Sequence, residues 1–131
     1  MSEHNDPDRP EPSDEVVELA HALFDMARAG DRERLAAYLE AGAPVDLSDP
    51  SGNTLLMLAA YHGHADLVRE LAERGADVNR LNDRDQSPLA GAVFKGEPDV
   101  VAALLEHGAD PGAGHPTARA TAEMFGRTDL L

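Results

Sequence analysis

Shifting the sequence against itself by 33 positions brings Gly42, Gly75 and Gly108 into register, each followed by alanine. The same shift aligns Gly30, Gly63 and Gly96, and it pairs Thr54 with Ser87, Leu56 with Leu89, Ala59 with Ala92, Tyr61 with Phe94 and Leu71 with Leu104. A strict period of this length constrains the fold more than composition does. One such unit cannot bury its apolar face alone, so like units must stack into a quasi-one-dimensional array.

Each unit reads locally in the same way. Thr54 or Ser87 is placed to cap a first short helix, and Pro88 falls at the first helical position, where its missing N–H costs nothing. Gly63 or Gly96 ends that helix. A second helix follows, with Pro98 near its start in the third unit. Its apolar residues Leu67, Val68, Leu71 and Ala72 share one face. Gly75 or Gly108 then supplies a left-handed residue, and a polar stretch such as 77–86 leads to the next unit.

The two ends are variants of the unit. Ser13 is a plausible cap for a longer apolar-periodic helix through Val16, Leu19, Ala20, Leu23 and Phe24. Residues 1–12 carry three prolines among charges and no apolar side chain after Met1, which predicts a disordered acidic tail. Thr117, Ala122 and 126–130 repeat Thr54, Ala59 and 63–67 at an offset of 63, three residues short of two periods. The expected organisation is therefore a tail (1–12), an N-terminal capping repeat (13–48), repeats 49–81 and 82–114, and a truncated C-terminal half-repeat (115–131). The fold class is an all-α solenoid of stacked helix–turn–helix units joined by short β-hairpin-like loops.

Charge and composition exclude several function classes. With 25 acidic and 11 basic residues the net charge is −14. Nucleic acid requires clustered Lys and Arg, as does an anionic membrane surface, so neither is an expected partner. No cysteine is present, which removes disulfides, thiolate ligands and cysteine nucleophiles together. The polar, acidic start lacks the pattern of a secretory signal, and no apolar run approaches the roughly 18 residues of a membrane helix. A cytoplasmic location is expected.

Residues 49–79 run DPSGNTLLMLAAYHGHADLVRELAERGADVN, and 82–112 run NDRDQSPLAGAVFKGEPDVVAALLEHGADPG. Both resemble the ankyrin repeat, whose pattern is D-x-x-G-x-T-P-L-H-x-A-A-x-x-G-H, then an apolar helix and G-A-D-V-N. The resemblance covers roughly residues 14–131, and the wording of the central repeats is similar to that of small bacterial (actinobacterial-type) ankyrin-repeat proteins of unassigned role. Thr54-Leu55-Leu56-Met57 lacks the Pro and His of T-P-L-H, and Ser87-Pro88-Leu89-Ala90 lacks the His. The side-chain network which that His makes between repeats must be absent or replaced. Asp85 stands where a turn glycine is usual, so a looser turn is expected there.

The resemblance implies binding through the hairpin tips and the concave face of the first helices. The residues it places there are Pro50, Ser51, Asn53, Tyr61, His62 and Arg74 in one repeat, and Asp83, Arg84, Gln86, Phe94, Lys95 and His107 in the next. Tyr61 and Phe94 are two of only five aromatic residues, and the 33-residue offset puts them on one stripe that Met124 would extend. Exposed aromatics are disproportionately binding hot spots; the alternative is that both rings pack into the seam between repeats. The expected function is a protein–protein interaction module with an unidentified protein partner. One rival is a polyanion-like acidic regulator, inhibitor or protective accessory of a neighbouring enzyme. Another is a structural protein that self-assembles through apolar surface at the C-terminal end, around Leu104, Leu105, Phe125 and Leu130. A monomer is expected, with weak self-association possible at that end.

Chemistry finds little support. His62-Gly63-His64, even with His107 and His115, does not supply the three or four converging ligands of a zinc site. Asp49, Asp77 and Asp110 sit at turn and cap positions, where Asp bonds its own backbone. Glu70, Glu73 and Glu106 lie on the polar side of second helices with Arg69 and Arg74. No G-x-S-x-G elbow or G-x-x-x-x-G-K-[ST] loop occurs. No catalytic residue, metal or cofactor is expected.

Overall fold

The computed structural model describes residues 13–131; the expected acidic tail, 1–12, lies outside the described residues. Among the described residues seven α-helices follow one another: α1 (Asp14–Ala29), α2 (Arg32–Glu40), α3 (Leu55–Tyr61), α4 (Ala65–Glu73), α5 (Pro88–Lys95), α6 (Pro98–Glu106) and α7 (Ala118–Met124). A 3-10 turn, Thr128–Leu130, stands where the fourth unit's second helix would begin.

The helices start where hydroxyls can satisfy their free amides. Ser13 Oγ accepts from Val16 N at 3.2 Å, Thr54 Oγ1 from Met57 N at 3.1 Å, Ser87 Oγ from Ala90 N at 3.0 Å and Thr117 Oγ1 from Ala120 N at 2.9 Å. The units stack in two layers. α1, α3, α5 and α7 pack in succession to form one layer, α2, α4 and α6 form the other, and each unit's two helices pack on each other. Leu35, Leu55, Leu56, Leu67, Leu71, Leu89 and Leu104 are fully buried between the layers, with Val68, Val93, Val100 and Val101. Each such side chain contributes about 1.5–3 kcal/mol by leaving water. Ala59, Ala60, Ala92, Ala118 and Ala122, also buried, let the first-layer helices approach closely.

Where a histidine network was missing from the sequence, the loops carry a different one. Asp49 Oδ1 accepts from Ser51 N and Asn53 N, both at 2.9 Å, and Asn82 Oδ1 accepts from Arg84 N at 2.9 Å and Gln86 N at 3.0 Å. Asn82 Nδ2 then donates to Asn53 Oδ1 at 2.9 Å, and Asp83 N to Ser51 O at 3.0 Å, which joins one hairpin loop to the next. His115 N continues the chain of contacts to Asp85 O at 2.9 Å. The turn at Asp85 is not looser than its counterpart. Asp85 N bonds Asn82 O at 3.0 Å just as Gly52 N bonds Asp49 O at 2.9 Å. Asp85 takes a φ of 60° where Gly52 takes 80°, and Asp is among the few L-residues that tolerate this region.

A second device repeats along the stack. Gly30, Gly63 and Gly96 are left-handed, and over each lies the residue that follows the equivalent glycine of the next unit: His64, Glu97 and Arg127. His64 Nε2 lies 2.6 Å from Arg28 O, and Arg127 donates to Val93 O at 3.1 Å and to Phe94 O. A Cβ at Gly30 would stand 2.5 Å from the His64 ring, so this glycine answers both to its φ and to a neighbour.

Candidate functional site

The first-layer helices α3, α5 and α7 expose one edge each beside the hairpin loops. Between them runs an open groove of about 550 Å³. Ser51, Asn53, Arg84 and Gln86 from the loops form one wall, Met57, Leu58, Ala90 and Gly91 the floor, and Tyr61, Phe94, Met124 and Phe125 the opposite rim. The capped starts of α3 and α5 put Tyr61 and Phe94 two turns further on, at equivalent places one repeat apart.

The two rings are not packed into the seam. Tyr61 is 41% exposed and Phe94 48% exposed, and Met124 beside them is 69% exposed. Phe94 meets Phe125 edge-on, with centroids 5.2 Å apart and planes at 80°. His62 meets Tyr61 in the same manner at 5.6 Å and 84°. Lys95 Nζ sits 4.8 Å above the Tyr61 ring, a cation–π contact at the rim. Burial, then the neighbouring charges of His64, Arg28 and Lys95, hold the His62 pKa below its ordinary value, which favours the neutral imidazole.

Of the residues placed on this face from sequence, Ser51, Asn53, Tyr61, Arg84, Gln86 and Phe94 line the groove. His62 and Lys95 flank it through Tyr61. Asp83 is turned back onto Gly52. Pro50 lines a separate depression with His21, Phe24, Asp25, Arg28 and Asp49. Arg74 and His107 stay at the ends of α4 and α6. Arg74 is held by Glu40 at 3.0 Å and Glu70 at 2.8 Å, bonds that raise its pKa further, Glu40's the more; His107 Nδ1 lies 2.9 Å from Ala103 O. The sequence reading missed Met57, Leu58, Gly91, Thr121 and Phe125. The register held a signal for most of them: Thr121 is Leu58 at the offset of 63, and Phe125 takes the place of His62 and Lys95.

Elsewhere the polar residues serve local structure. Asp77 Oδ1 accepts from Asn79 N at 3.0 Å and Asp110 Oδ1 from Gly112 N at 2.8 Å. Arg69 bridges Glu106 at 3.4 Å and Asp66 at 3.6 Å. Among the described residues, no group of three or more His, Cys, Asp or Glu side chains converges as metal ligands, and no helix is long and apolar enough to cross a membrane. At the C-terminal end Leu104 is fully buried, Leu130 packs against the core, and Leu105 and Phe125 are 36% and 46% exposed.

Comparison with known proteins gives a consistent relationship. The family described as ankyrin repeats (3 copies) matches residues 23–114. An ankyrin repeat protein of Pseudomonas aeruginosa is 52% identical over 64 residues, which cover 49% of this chain and 37% of that protein. Ankyrin repeat domain-containing protein 29 of Homo sapiens is 52% identical over 54 residues, 40% of this chain and 18% of its own. Its namesake in Danio rerio is 46% identical over 54 residues. The matched stretch thus spans well under two thirds of these relatives' own length.

Proposed function

The chain belongs to the ankyrin-repeat family, whose repeats are generally non-enzymatic protein–protein interaction modules, and from that premise we propose that it docks a protein partner in the groove between its hairpin loops and the first-layer helices. One observation carries the reading. Four large apolar side chains, Tyr61, Phe94, Met124 and Phe125, stand at least 41% exposed along a single rim, where burial by a partner would release their water. Side chains presented this way at the centre of an interface are worth about 2 kcal/mol or more each. Ser51, Asn53, Arg84 and Gln86 supply polar contacts opposite. In this reading residues 13–48 cap one end, 49–81 and 82–114 carry the binding surface, 115–131 form a half-repeat that completes the rim, and the protein works in the cytoplasm.

The test is capture from native lysate by the wild-type chain and by a Tyr61→Ala, Phe94→Ala double variant, with circular dichroism on both. Loss of two anchors is expected to weaken capture at least tenfold, about 1.4 kcal/mol, while helicity and melting temperature hold. Equal capture by the variant would place the binding surface elsewhere.

A further inference from the structure

The groove differs in charge from the molecule that carries it. The chain has 25 carboxylate side chains, yet none of the residues lining the groove is Asp or Glu. Asp83, at the loop wall, turns its carboxylate against Gly52, and Glu123, next to Met124, is outside the lining. The cations tell the same story. Among the described residues Arg28, Arg34, Arg69 and Arg74 pair with a carboxylate and Arg32, Arg80, Arg84, Lys95, Arg119 and Arg127 do not; of these, Arg84 and Lys95 are exposed at the groove. Arg84 lines the groove and Lys95 lies over the Tyr61 ring at its rim.

The hydrogen-bonding groups lean the same way. Gln86 Oε1 is taken by Asn82 Nδ2 at 2.7 Å, and Asn53 Oδ1 by the same amide at 2.9 Å. Each oxygen keeps one further lone pair, and the Gln86 N–H pair, bound to no other group among the described residues, is free to donate. The face of Tyr61 already holds an ammonium, so an incoming cation would meet a like charge there and find no carboxylate to pair with.

Taking the groove as the docking site, we infer that its ligand is an extended acidic peptide segment: an apolar or aromatic anchor laid between Tyr61, Phe94 and Phe125, flanked by Asp or Glu that pair with Arg84 and Lys95. This is the opposite of what the net charge of −14 would select. The distinction is one of range. At physiological ionic strength charges beyond about 8 Å are screened, so the contacting cations decide the preference while the distant carboxylates mainly slow approach.

Selection of a random dodecapeptide display library on the immobilised full chain, at about 0.15 M salt, tests this. The recovered peptides should combine bulky apolar residues with Asp and Glu and be depleted of Lys and Arg. Their binding should fall at least tenfold with Arg84→Glu plus Lys95→Glu, and with Tyr61→Ala plus Phe94→Ala, and should not weaken as salt rises from low to physiological. Recovery of Lys/Arg-rich peptides that tolerate the charge reversal and weaken with salt would overturn the inference; the docking site itself would survive if those peptides still required Tyr61 and Phe94. If no recovered peptide depends on the two rings, both readings fall.

Discussion

His62 sits beside a second imidazole, His64, and near two cations, Arg28 and Lys95, and burial together with these charges keeps its pKa low in the folded chain. Unfolded, it returns to about 6.5. The folded state therefore binds fewer protons over the interval between the two values, and stability falls as pH drops through it. The penalty is absent above the unfolded value, grows toward the folded one, and is constant below. Urea unfolding between about pH 7 and pH 5 should accordingly show a shallower loss of stability for His62→Gln than for the wild type; parallel curves would mean the imidazole is not disfavoured in its charged form. Arg127 acts on packing instead. Its guanidinium reaches Val93 O and Phe94 O and lies 5.8 Å from the Phe125 ring, so Arg127→Ala should cost about 1–2 kcal/mol and speed amide exchange in α7. The position was visible in the sequence as the residue after the repeat glycine. What it does was not, because His64, Glu97 and Arg127 share the place but not the chemistry.

The α-helices themselves were largely legible. Hydroxyl residues 33 apart, at Thr54 and Ser87, and Thr117 at the offset of 63, all cap helices, and the glycines that close the units are left-handed. Local hydrogen bonding fixes these, so local pattern reveals them. The groove was legible only in part. Tyr61, Phe94 and Met124 follow from the register, but the wall opposite depends on how Asn82 joins Asn53, and Phe125 holds the register place of His62 and Lys95 with a side chain of different chemistry. Arg74 and His107, expected on the concave face from register, lie at the ends of α4 and α6 outside the groove: register gives a place in the unit, while nearby acceptors decide where a long side chain ends. Gly91 raises a question at this scale. It lies inside α5, where glycine costs about 1 kcal/mol relative to alanine, and a Cβ there would meet only Tyr61 Cδ1 at an ordinary 3.7 Å. Gly91→Ala should thus stabilise the fold by about 0.5–1 kcal/mol in urea unfolding. If it destabilises instead, the floor of the groove is tighter than this contact indicates.

At the scale of the whole molecule, stacked units divide their labour between layers. The second-layer helices α4 and α6 present ion pairs such as Arg69–Glu106 and Arg69–Asp66 to solvent, while the first-layer edges present the exposed aromatic rim of the groove. Surface pairs of this kind contribute little stability, typically under 1 kcal/mol. The stack is held by the apolar seam, and its outer charge governs solubility and approach. Such an arrangement predicts that a ligand can be bound on one layer without the other reorganising. Amide hydrogen exchange of the chain, free and saturated with a ligand recovered in the selection described above, tests this most directly. Protection should appear at the loops 51–53 and 83–86 and along α3, α5 and α7 next to the groove, with α4 and α6 unchanged. Protection concentrated on α4 and α6, with the groove unaffected, would contradict the account.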